Sequence, residues 1–205
     1  MSIILLRGFS HSGKDYIGQI LCNDYGYKRF AFADSLKKMV QLEFKCSWRN
    51  LHTQAGKLEI CENDSLKRTY RQILIDEALR LRNIDAGVFA HHCCTEIYGY
   101  NPEELPNKIV ITDWRYPNEI TILEQAFPGY TITPVHIIRE GQTSSPVNDI
   151  SEHQLDDRSF DYQLINRMND TILNEIKVLI DFINMDITNK KHNNNETYLG
   201  VYNLG

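Results

Sequence analysis

Gly8, Gly13 and Lys14 stand in the spacing G-x-x-x-x-G-K within residues 5–16, LLRGFSHSGKDY. In this pattern, successive backbone N–H groups of the loop and of the first helical turn point inward at an anion, with the positive end of a helix dipole behind them. Lys14 would reach the β- and γ-phosphates of a nucleotide as a point charge. The spacing therefore predicts a phosphate-binding loop, and the alternative is a glycine turn without a ligand.

Two carboxylates could hold a metal ion next to this loop. Asp15 occupies the position at which such loops usually carry a serine or threonine that binds Mg2+. Its carboxylate is a hard oxygen donor that could hold the ion directly or through a water. Asp113 ends the most strand-like segment of the chain, where P-loop proteins place a second magnesium carboxylate. The alternative for Asp113 is to cap the helix that follows Pro117.

A second anion site is indicated by the segment FADSLK, residues 32–37. It places Asp34 after a strand and Lys37 in the first turn of a helix, so the helix N-terminus and the ammonium group can act together on an anion. In TDWRYPNE, residues 112–119, Arg115 follows a strand end and has a guanidinium fork suited to phosphate. Two anion sites favour phosphoryl transfer as the reaction.

Other side chains in these regions have both a functional and a structural interpretation. Trp114 or Tyr116 could stack on a nucleobase, although aromatic residues beside a strand are usually core residues. Arg71 and Arg82 are 11 residues apart, so they share one face of a predicted helix, from which Arg80 is turned away. For these arginines, a solvated helix face is as good an interpretation as a functional one.

The elements that must position these residues alternate between strands and helices. Strands are predicted over residues 3–7, 29–34, 107–113, 130–140 and 161–166. Helices are predicted after the glycine-rich loop, from Ser35 to Phe44, over 66–82, up to about Tyr98, from Asn118 to about Ala126, and over 169–184. The polar stretches 45–66 and 141–159 are predicted to be a flexible flap and a lid. This alternation predicts an α/β fold with a central parallel sheet, whose ligands bind beyond the carboxyl ends of the strands.

Composition narrows the classes of function. The 205 residues carry a net charge of −5, which disfavours polymeric nucleic acid as a partner. No apolar run approaches the roughly 18 residues that cross a bilayer, so a membrane is not an expected partner. The five cysteines are an odd number without C-x-x-C spacing, which favours reduced thiols and a cytoplasmic location. The Asn-rich segment 187–205 is predicted to be a loosely held tail that follows a domain spanning residues 1–186.

The motifs GFSHSGKDY, FADSLK, ITDWRYPNE and SEHQLD with FDYQLIN resemble, in order and spacing, the bacteriophage-type deoxynucleoside monophosphate kinases. Their relatives, the animal-type phosphomevalonate kinases, are also similar. The resemblance covers about residues 1–184, and both families share G-K-D in place of G-K-S or G-K-T. It implies a three-layer α/β/α P-loop kinase fold with mobile monophosphate-binding and lid segments. The implied ligands are ATP, Mg2+ and a deoxynucleoside monophosphate, and a homodimer is a conceivable assembly.

The resemblance also implies roles for individual residues. ATP would be held by Gly8, Phe9, Ser10, His11, Ser12, Gly13, Lys14, Asp15 and Tyr16. The acceptor would be held by Asp34, Lys37, Arg71, Trp114 and Arg115, with Glu119 and Glu152 as further substrate-side candidates. Lys14, Arg115 and Arg139 would share the charge that develops during transfer. Asp15 and Asp113 would hold the metal ion.

Three functions are consistent with these patterns. The first is phosphorylation of a deoxynucleoside monophosphate by ATP, which the segments FADSLK and DWRYPNE favour. The second is a kinase for a non-nucleotide phosphate such as phosphomevalonate. The third belongs to a different class, namely a nucleotide-binding regulatory module that has kept the loop without catalysing transfer.

Overall fold

The computed structural model describes residues 1–99, 105–144 and 150–201, with side chains described as far as residue 189. Within these ranges the strands are β1 (Ser2–Arg7), β2 (Lys28–Phe30), β3 (Lys108–Ile111), β4 (Thr131–Arg139) and β5 (Tyr162–Asn166). In the same ranges the helices are α1 (Lys14–Tyr25), α2 (Asp34–Phe44), α3 (Trp48–His52), α4 (Gln54–Leu58), α5 (Tyr70–Ile84), α6 (Val88–Tyr98), α7 (Pro117–Ala126) and α8 (Thr171–Val201), with a 3-10 turn at Ile150–Glu152.

The strands form one sheet in the order β2-β3-β1-β4-β5 within the described residues. β1 pairs in parallel with both β3 and β4, and β4 pairs in parallel with β5. In this register Ile4 lies opposite Val110 on one side and Thr133 on the other. The predicted α/β class with a central parallel sheet is confirmed.

β1 is the central strand of the sheet, and all of its six residues are buried. On one face, Ile4 and Leu6 pack with the inward residues of β4 and β5 against α1 and α8. On the other face, Ile3 and Leu5 are also completely buried. A strand buried on both faces reads as a continuous apolar run, and the sequence IILL of β1 is such a run. Both faces of the sheet are therefore covered, as a three-layer arrangement requires.

The position of β1 also determines where a ligand can bind. In the sheet, β3 and β2 lie on one side of β1, and β4 and β5 lie on the other. The chain passes from β1 to β2 and β3 first and then crosses to β4, so the strand order reverses next to β1. In open α/β sheets, the crevice outside the carboxyl ends at such a reversal is the usual ligand site. The loop that follows β1, which contains Gly8 and Gly13, lies at this edge.

The chain divides into two compact units. The first contains Met1–Arg29, Pro106–Pro117 and Phe127–Gly205, and the second contains Phe30–Leu105 and Asn118–Ala126. Within the second unit, α2 contacts α3, α5 and α6, and α4 contacts α3 and α5. This unit is therefore a helical cluster built around α2 and α5.

The prediction of an irregular flap over residues 45–66 is wrong, because α3 and α4 lie there. Each is only five residues long, which is too short for a hydrophobic period to be visible. Both begin at capping residues: Ser47 forms a capping box with Asn50, and the Thr53 hydroxyl accepts a hydrogen bond from the Gly56 N–H. Local capping, which satisfies the free N–H groups of a first turn, marks these short helices.

Two further boundaries differ from the prediction. Helix α2 begins at Asp34 with Ala33 as its N-cap, so Ser35 is inside the helix and does not cap it. Helix α8 continues past Thr188 to Val201, whereas the sequence pattern ended it near residue 184. No glycine or proline interrupts the chain between Thr171 and Leu199, so nothing in the backbone stops the helix after its apolar stripe ends. Of the predicted lid, residues 145–149 lie outside the described residues.

Within the described part of the chain, no helix is both long enough and apolar enough to cross a membrane.

The packing of α8 on the sheet can be tested with a matched pair of substitutions. Ile176 is completely buried between α8 and the sheet, whereas Val178 on the same helix is 55% exposed. Ile176→Ala should reduce the free energy of unfolding by about 2–5 kcal/mol, because it leaves a cavity in the core. Val178→Ala should change it by less than about 0.5 kcal/mol. Equal effects in urea unfolding would contradict this packing.

Candidate phosphate-binding site

Every carbonyl oxygen of the loop between β1 and α1, from Gly8 to Gly13, accepts a hydrogen bond. Lys14 Nζ donates to Gly8 O at 2.7 Å and to Phe9 O at 2.9 Å, Gln142 Nε2 to Ser10 O at 2.9 Å, Arg139 Nη1 to His11 O at 3.1 Å, Asn166 Nδ2 to Ser12 O at 2.9 Å, and the Ile17 N–H to Gly13 O at 3.0 Å. In a trans peptide the N–H points away from the C=O of the same unit. These bonds therefore fix the direction of each loop amide, and amides held in fixed directions by a loop can bind an anion.

Helix α1 adds its positive end to this loop. Its N-cap is Gly13, which has no side chain that could cap the helix. The first N–H groups of a helix have no intrahelical acceptor, and the helix dipole favours negative charge at that end. The Ser12 hydroxyl is buried and, among the described residues, makes no hydrogen bond. Uncapped helical N–H groups and a buried hydroxyl together provide donors for a phosphate.

Glycine is required at both ends of the loop. Gly13 has a φ of 99°, and a Cβ there would lie 2.3 Å from Asn166 Nδ2. A Cβ on Gly8 would lie 2.6 Å from the carbonyl oxygen of Ile137, which belongs to the backbone of β4 and cannot give way. The first and last glycines of the predicted motif are thus fixed by close packing of the loop against β4 and β5.

Lys14 is the electrostatic centre of the site. Burial lowers its pKa to about 8, opposed first by the charge of Glu152. Arg115 lowers the pKa further, while Asp15 and Asp113 raise it. All four residues were predicted from the sequence to belong to the site, and all four lie close enough to Lys14 to affect its pKa.

The two predicted metal ligands are compatible with Mg2+. Asp15 is exposed in the first turn of α1, and Asp113 is half-buried just after β3. Among the residues that the structure describes, no group of three or more His, Cys, Asp and Glu side chains could hold a metal ion by itself. Mg2+ is usually bound through one or two carboxylates together with substrate phosphates, and not by a complete protein cage. Two carboxylates beside a phosphate loop fit that donor set.

Glu152, from the 3-10 turn, reaches into the loop. Its Oε2 accepts a hydrogen bond from the Ser10 N–H at 2.6 Å, and its Oε1 lies 3.0 Å from Arg115 Nη2. Arg115 also donates to the Ser151 hydroxyl. The Glu152 side chain is only 3% exposed, so its carboxylate is held by a loop amide and a guanidinium away from water. Glu152 and Arg115 are therefore brought together with the loop.

Arg7 is a site residue that the sequence analysis missed. It is 4% exposed, contacts His136 and Asp156, and donates to the carbonyl oxygen of Glu152 at 3.3 Å. Its guanidinium also lies over the ring of Phe9, 4.7 Å from the centroid. Burial lowers the pKa of His136 to about 4, with a further lowering by Arg7, so the neutral ring can accept a hydrogen bond. An arginine at the end of an otherwise apolar strand was the available signal.

Asn166 and Gln142 were also missed, although both hold loop carbonyls. Asn166 is 3% exposed, and its Oδ1 accepts a hydrogen bond from the Met168 N–H at 3.0 Å. A buried amide at the end of β5 could have been recognised, because buried polar side chains need partners. Gln142 lies in the polar stretch after β4, where nothing in the sequence distinguishes it.

The predicted base-stacking residue Trp114 is 1% exposed. Its Nε1 donates to Tyr116 O at 2.9 Å, Phe160 packs edge-on at 5.9 Å, and the Arg158 guanidinium lies 5.0 Å from the ring centroid. Trp114 thus has the surroundings of a core residue next to the site. Tyr116, the alternative stacking residue, is half-buried. Tyr16, which was predicted on the ATP side, is 56% exposed on α1.

The remaining predicted acceptor residues lie in the second unit. Asp34 and Lys37 form an ion pair at 3.7 Å within the first turn of α2. Arg71 donates to Gln54 Oε1 at 2.7 Å. Glu119 is 1% exposed and pairs with Arg82 at 2.8 Å. The Glu119 carboxylate is therefore engaged in joining α7 to α5.

The parallel sheet, the glycine-rich loop after its central strand and the helix that follows the loop form an open α/β fold with a candidate phosphate-binding loop. The sequence matches no family model, and it matches no curated protein. Among solved structures, a mutant of the APS kinase of Mycobacterium tuberculosis is similar over 88% of this chain and 94% of its own, with 12% identity and a TM-score of 0.41. Shikimate kinase of Aquifex aeolicus is similar over 91% and 98%, with 12% identity and a TM-score of 0.43.

A gluconokinase of Sinorhizobium meliloti is similar over 90% of this chain and 97% of its own, with 11% identity and a TM-score of 0.40. Similarity at these levels does not assign a family. The function must therefore be inferred from the residues of the loop and its surroundings.

The packing of the loop against Asn166 can be tested at two glycines. Gly13 and Gly26 both have positive φ, but only at Gly13 would a Cβ meet another residue within 4 Å. Gly26→Ala should cost about 1–2 kcal/mol of stability, the penalty of a left-handed residue. Gly13→Ala should cost at least about 1 kcal/mol more, because Asn166 must also move. Equal losses in urea unfolding would contradict the packing.

The lowered pKa of Lys14 can be tested by its reactivity. An amine is acylated as the free base, so Lys14 should reach half of its maximal labelling near pH 8. Lys38 is a suitable control, because its hydrogen bond with Glu96 raises its pKa. Brief acetic anhydride pulses at increasing pH, followed by peptide mass spectrometry, would give both midpoints. A Lys14 midpoint as high as that of Lys38 would contradict burial of the charge.

Proposed function

We propose that this protein is an ATP-dependent kinase whose acceptor is a deoxynucleoside monophosphate. The observation that carries the proposal is the loop 8–13, whose carbonyl oxygens all accept hydrogen bonds, beside Lys14 and the carboxylates of Asp15 and Asp113. A loop with fixed amides next to a lysine is suited to a polyphosphate. ATP is the proposed donor because the motif G-x-x-x-x-G-K is typical of nucleotide sites.

In this proposal the residues Gly8 to Tyr16 bind the ATP phosphates through backbone amides and Lys14. Asp15 and Asp113 would hold Mg2+, which would neutralise part of the charge of the phosphates. Arg115 lies close enough to Lys14 to lower its pKa, so the two cations can act on the same phosphoryl group. Arg139, which contacts the loop at His11, is the third proposed cation.

The acceptor is proposed to be a monophosphate because the cations Lys37, Arg71 and Arg115 have the chemistry to bind one. Asp34 and Glu152 are proposed as further substrate-side residues, whereas Trp114 and Glu119 are buried in contacts with other parts of the protein. Lys37 in the first turn of α2 combines its charge with the positive end of that helix. The resemblance of FADSLK and DWRYPNE to the nucleotide kinases favours a deoxynucleotide over phosphomevalonate. The kinase domain is proposed to comprise residues 1–186.

The chemistry needs position and charge neutralisation more than covalent participation. The acceptor phosphate is already a nucleophilic anion, so no general base is required. Lys14, Arg115 and Arg139 would stabilise the charge on the transferring group. The protonation state of Lys14 suits this role at neutral pH. With a pKa of about 8, the ammonium group is mostly charged below pH 8 and loses its charge above pH 8.

A panel assay tests the proposal. The protein would be supplied with MgATP and, in turn, dTMP, dGMP, dCMP and phosphomevalonate, and ADP formation would be measured. We expect acceptor-dependent ADP formation with at least one deoxynucleotide. Turnover with phosphomevalonate alone would support the non-nucleotide kinase, and tight ATP binding without turnover on any acceptor would support a regulatory module.

Two lysine variants make the assay specific to the loop. Lys14→Ala should lower turnover by at least about 100-fold, the typical effect of removing one preorganised electrostatic group. Lys177→Ala removes the same charge from an exposed position on α8 and should leave turnover unchanged. Turnover of Lys14→Ala equal to that of the unmodified protein would remove Lys14 from the mechanism.

A further inference from the structure

The 3-10 turn and the residues that follow it, 150–156, lie against the phosphate loop through several independent contacts. Glu152 accepts the Ser10 N–H at 2.6 Å and pairs with Arg115 at 3.0 Å. Arg7 donates to the Glu152 carbonyl oxygen and contacts Asp156. The rings of His153 and Phe9 are 5.5 Å apart. We call residues 150–156 the latch segment.

The Glu152 carboxylate uses groups that a phosphate would need. It is an oxyanion that takes a backbone N–H of the loop and the guanidinium of Arg115, and it acts on Lys14 more strongly than any other charge. Phosphate oxygens bind the same kinds of donor: loop amides, guanidinium and lysine. A donor that is fully engaged by one oxyanion cannot serve a second one at the same time.

The space around these groups is also small. The cavity lined by Arg7, Gly8, Lys14, Arg115, Glu152 and Leu155, among others, has a volume of about 10 Å³. That is about the volume that a single water molecule needs. A phosphate group is larger than a water molecule, so the Glu152 side chain must move before a terminal phosphate can occupy this space.

We propose that Glu152 is an internal competitor for the phosphate loop, so that nucleotide binding and release of the latch segment are coupled. The proposal rests on the proposed function, because it assumes that the loop binds ATP. In this arrangement the Glu152 carboxylate is the anionic partner of Arg115 and Lys14 until a phosphate replaces it. Glu152 is also one of the proposed acceptor-side residues, and its release would make the carboxylate accessible to the acceptor.

The coupling has a direct consequence for affinity. An internal carboxylate that must be displaced weakens nucleotide binding. The apparent Kd is the intrinsic Kd divided by the fraction of molecules in which Glu152 has left the loop. Glu152→Gln removes the charge while keeping the size of the side chain. Glu152→Asp keeps the charge but shortens the side chain by one methylene, so that the carboxylate no longer reaches both Ser10 and Arg115. Both substitutions should tighten MgATP binding.

Equilibrium titration with MgATP, without an acceptor, tests the proposal on the full chain. We expect the Kd of Glu152→Gln and of Glu152→Asp to fall at least about tenfold, the lower range for one hydrogen bond to a charged group. The control is Asp157→Asn, which removes a charge from an exposed position next to the latch segment and should leave the Kd within about twofold, as surface substitutions usually do.

The outcomes separate this inference from the proposed function. If the unmodified protein binds MgATP but neither Glu152 variant binds more tightly than Asp157→Asn, the competitor role is wrong and the nucleotide site stands. Weaker binding in the Glu152 variants would make Glu152 part of the nucleotide site, which also overturns the inference. If no variant and no unmodified protein binds MgATP, the proposed function fails, and the coupling fails with it.

Discussion

The site depends on the orientation of the peptide units between Gly8 and Gly13. Their carbonyl oxygens are held by donors from α1, from the end of β4 and the turn after it, and from β5. Because the N–H of a peptide unit points opposite to its C=O, this one set of hydrogen bonds also fixes the directions of the amides. If those donors were lost, the loop would remain glycine-rich but would no longer be preorganised for an anion.

The second constraint is the burial of positive charge. Lys14 and Arg7 both have their pKa values lowered by burial, which shows that their charges lie in surroundings that disfavour them. A buried charge is tolerated only with a partner of opposite sign. Glu152 and Asp156 supply that partner from a short segment beyond the sheet. The same physics that attracts a phosphate to this site therefore also attracts a carboxylate of the protein itself.

The sequence predicted the fold well where elements are long and apolar. β1 and β3 are short apolar runs and α5 has a helical period, and each of these elements, like β4, was expected close to its observed position. The five-residue helices α3 and α4 were missed, because one and a half turns contain too few residues for a period. The extension of α8 to Val201 was missed because its end carries no apolar stripe to indicate a helix.

By itself, the sequence determined where the loop lies, because the glycine spacing, the lysine and the strand before them are local features. Only the tertiary structure decided which side chains hold that loop and fill it. Gln142, Glu152 and Asn166 bond to loop residues that are 132, 142 and 154 positions away in the sequence. Their contacts depend on the order of the strands in the sheet, and strand order is a long-range property that no local pattern encodes.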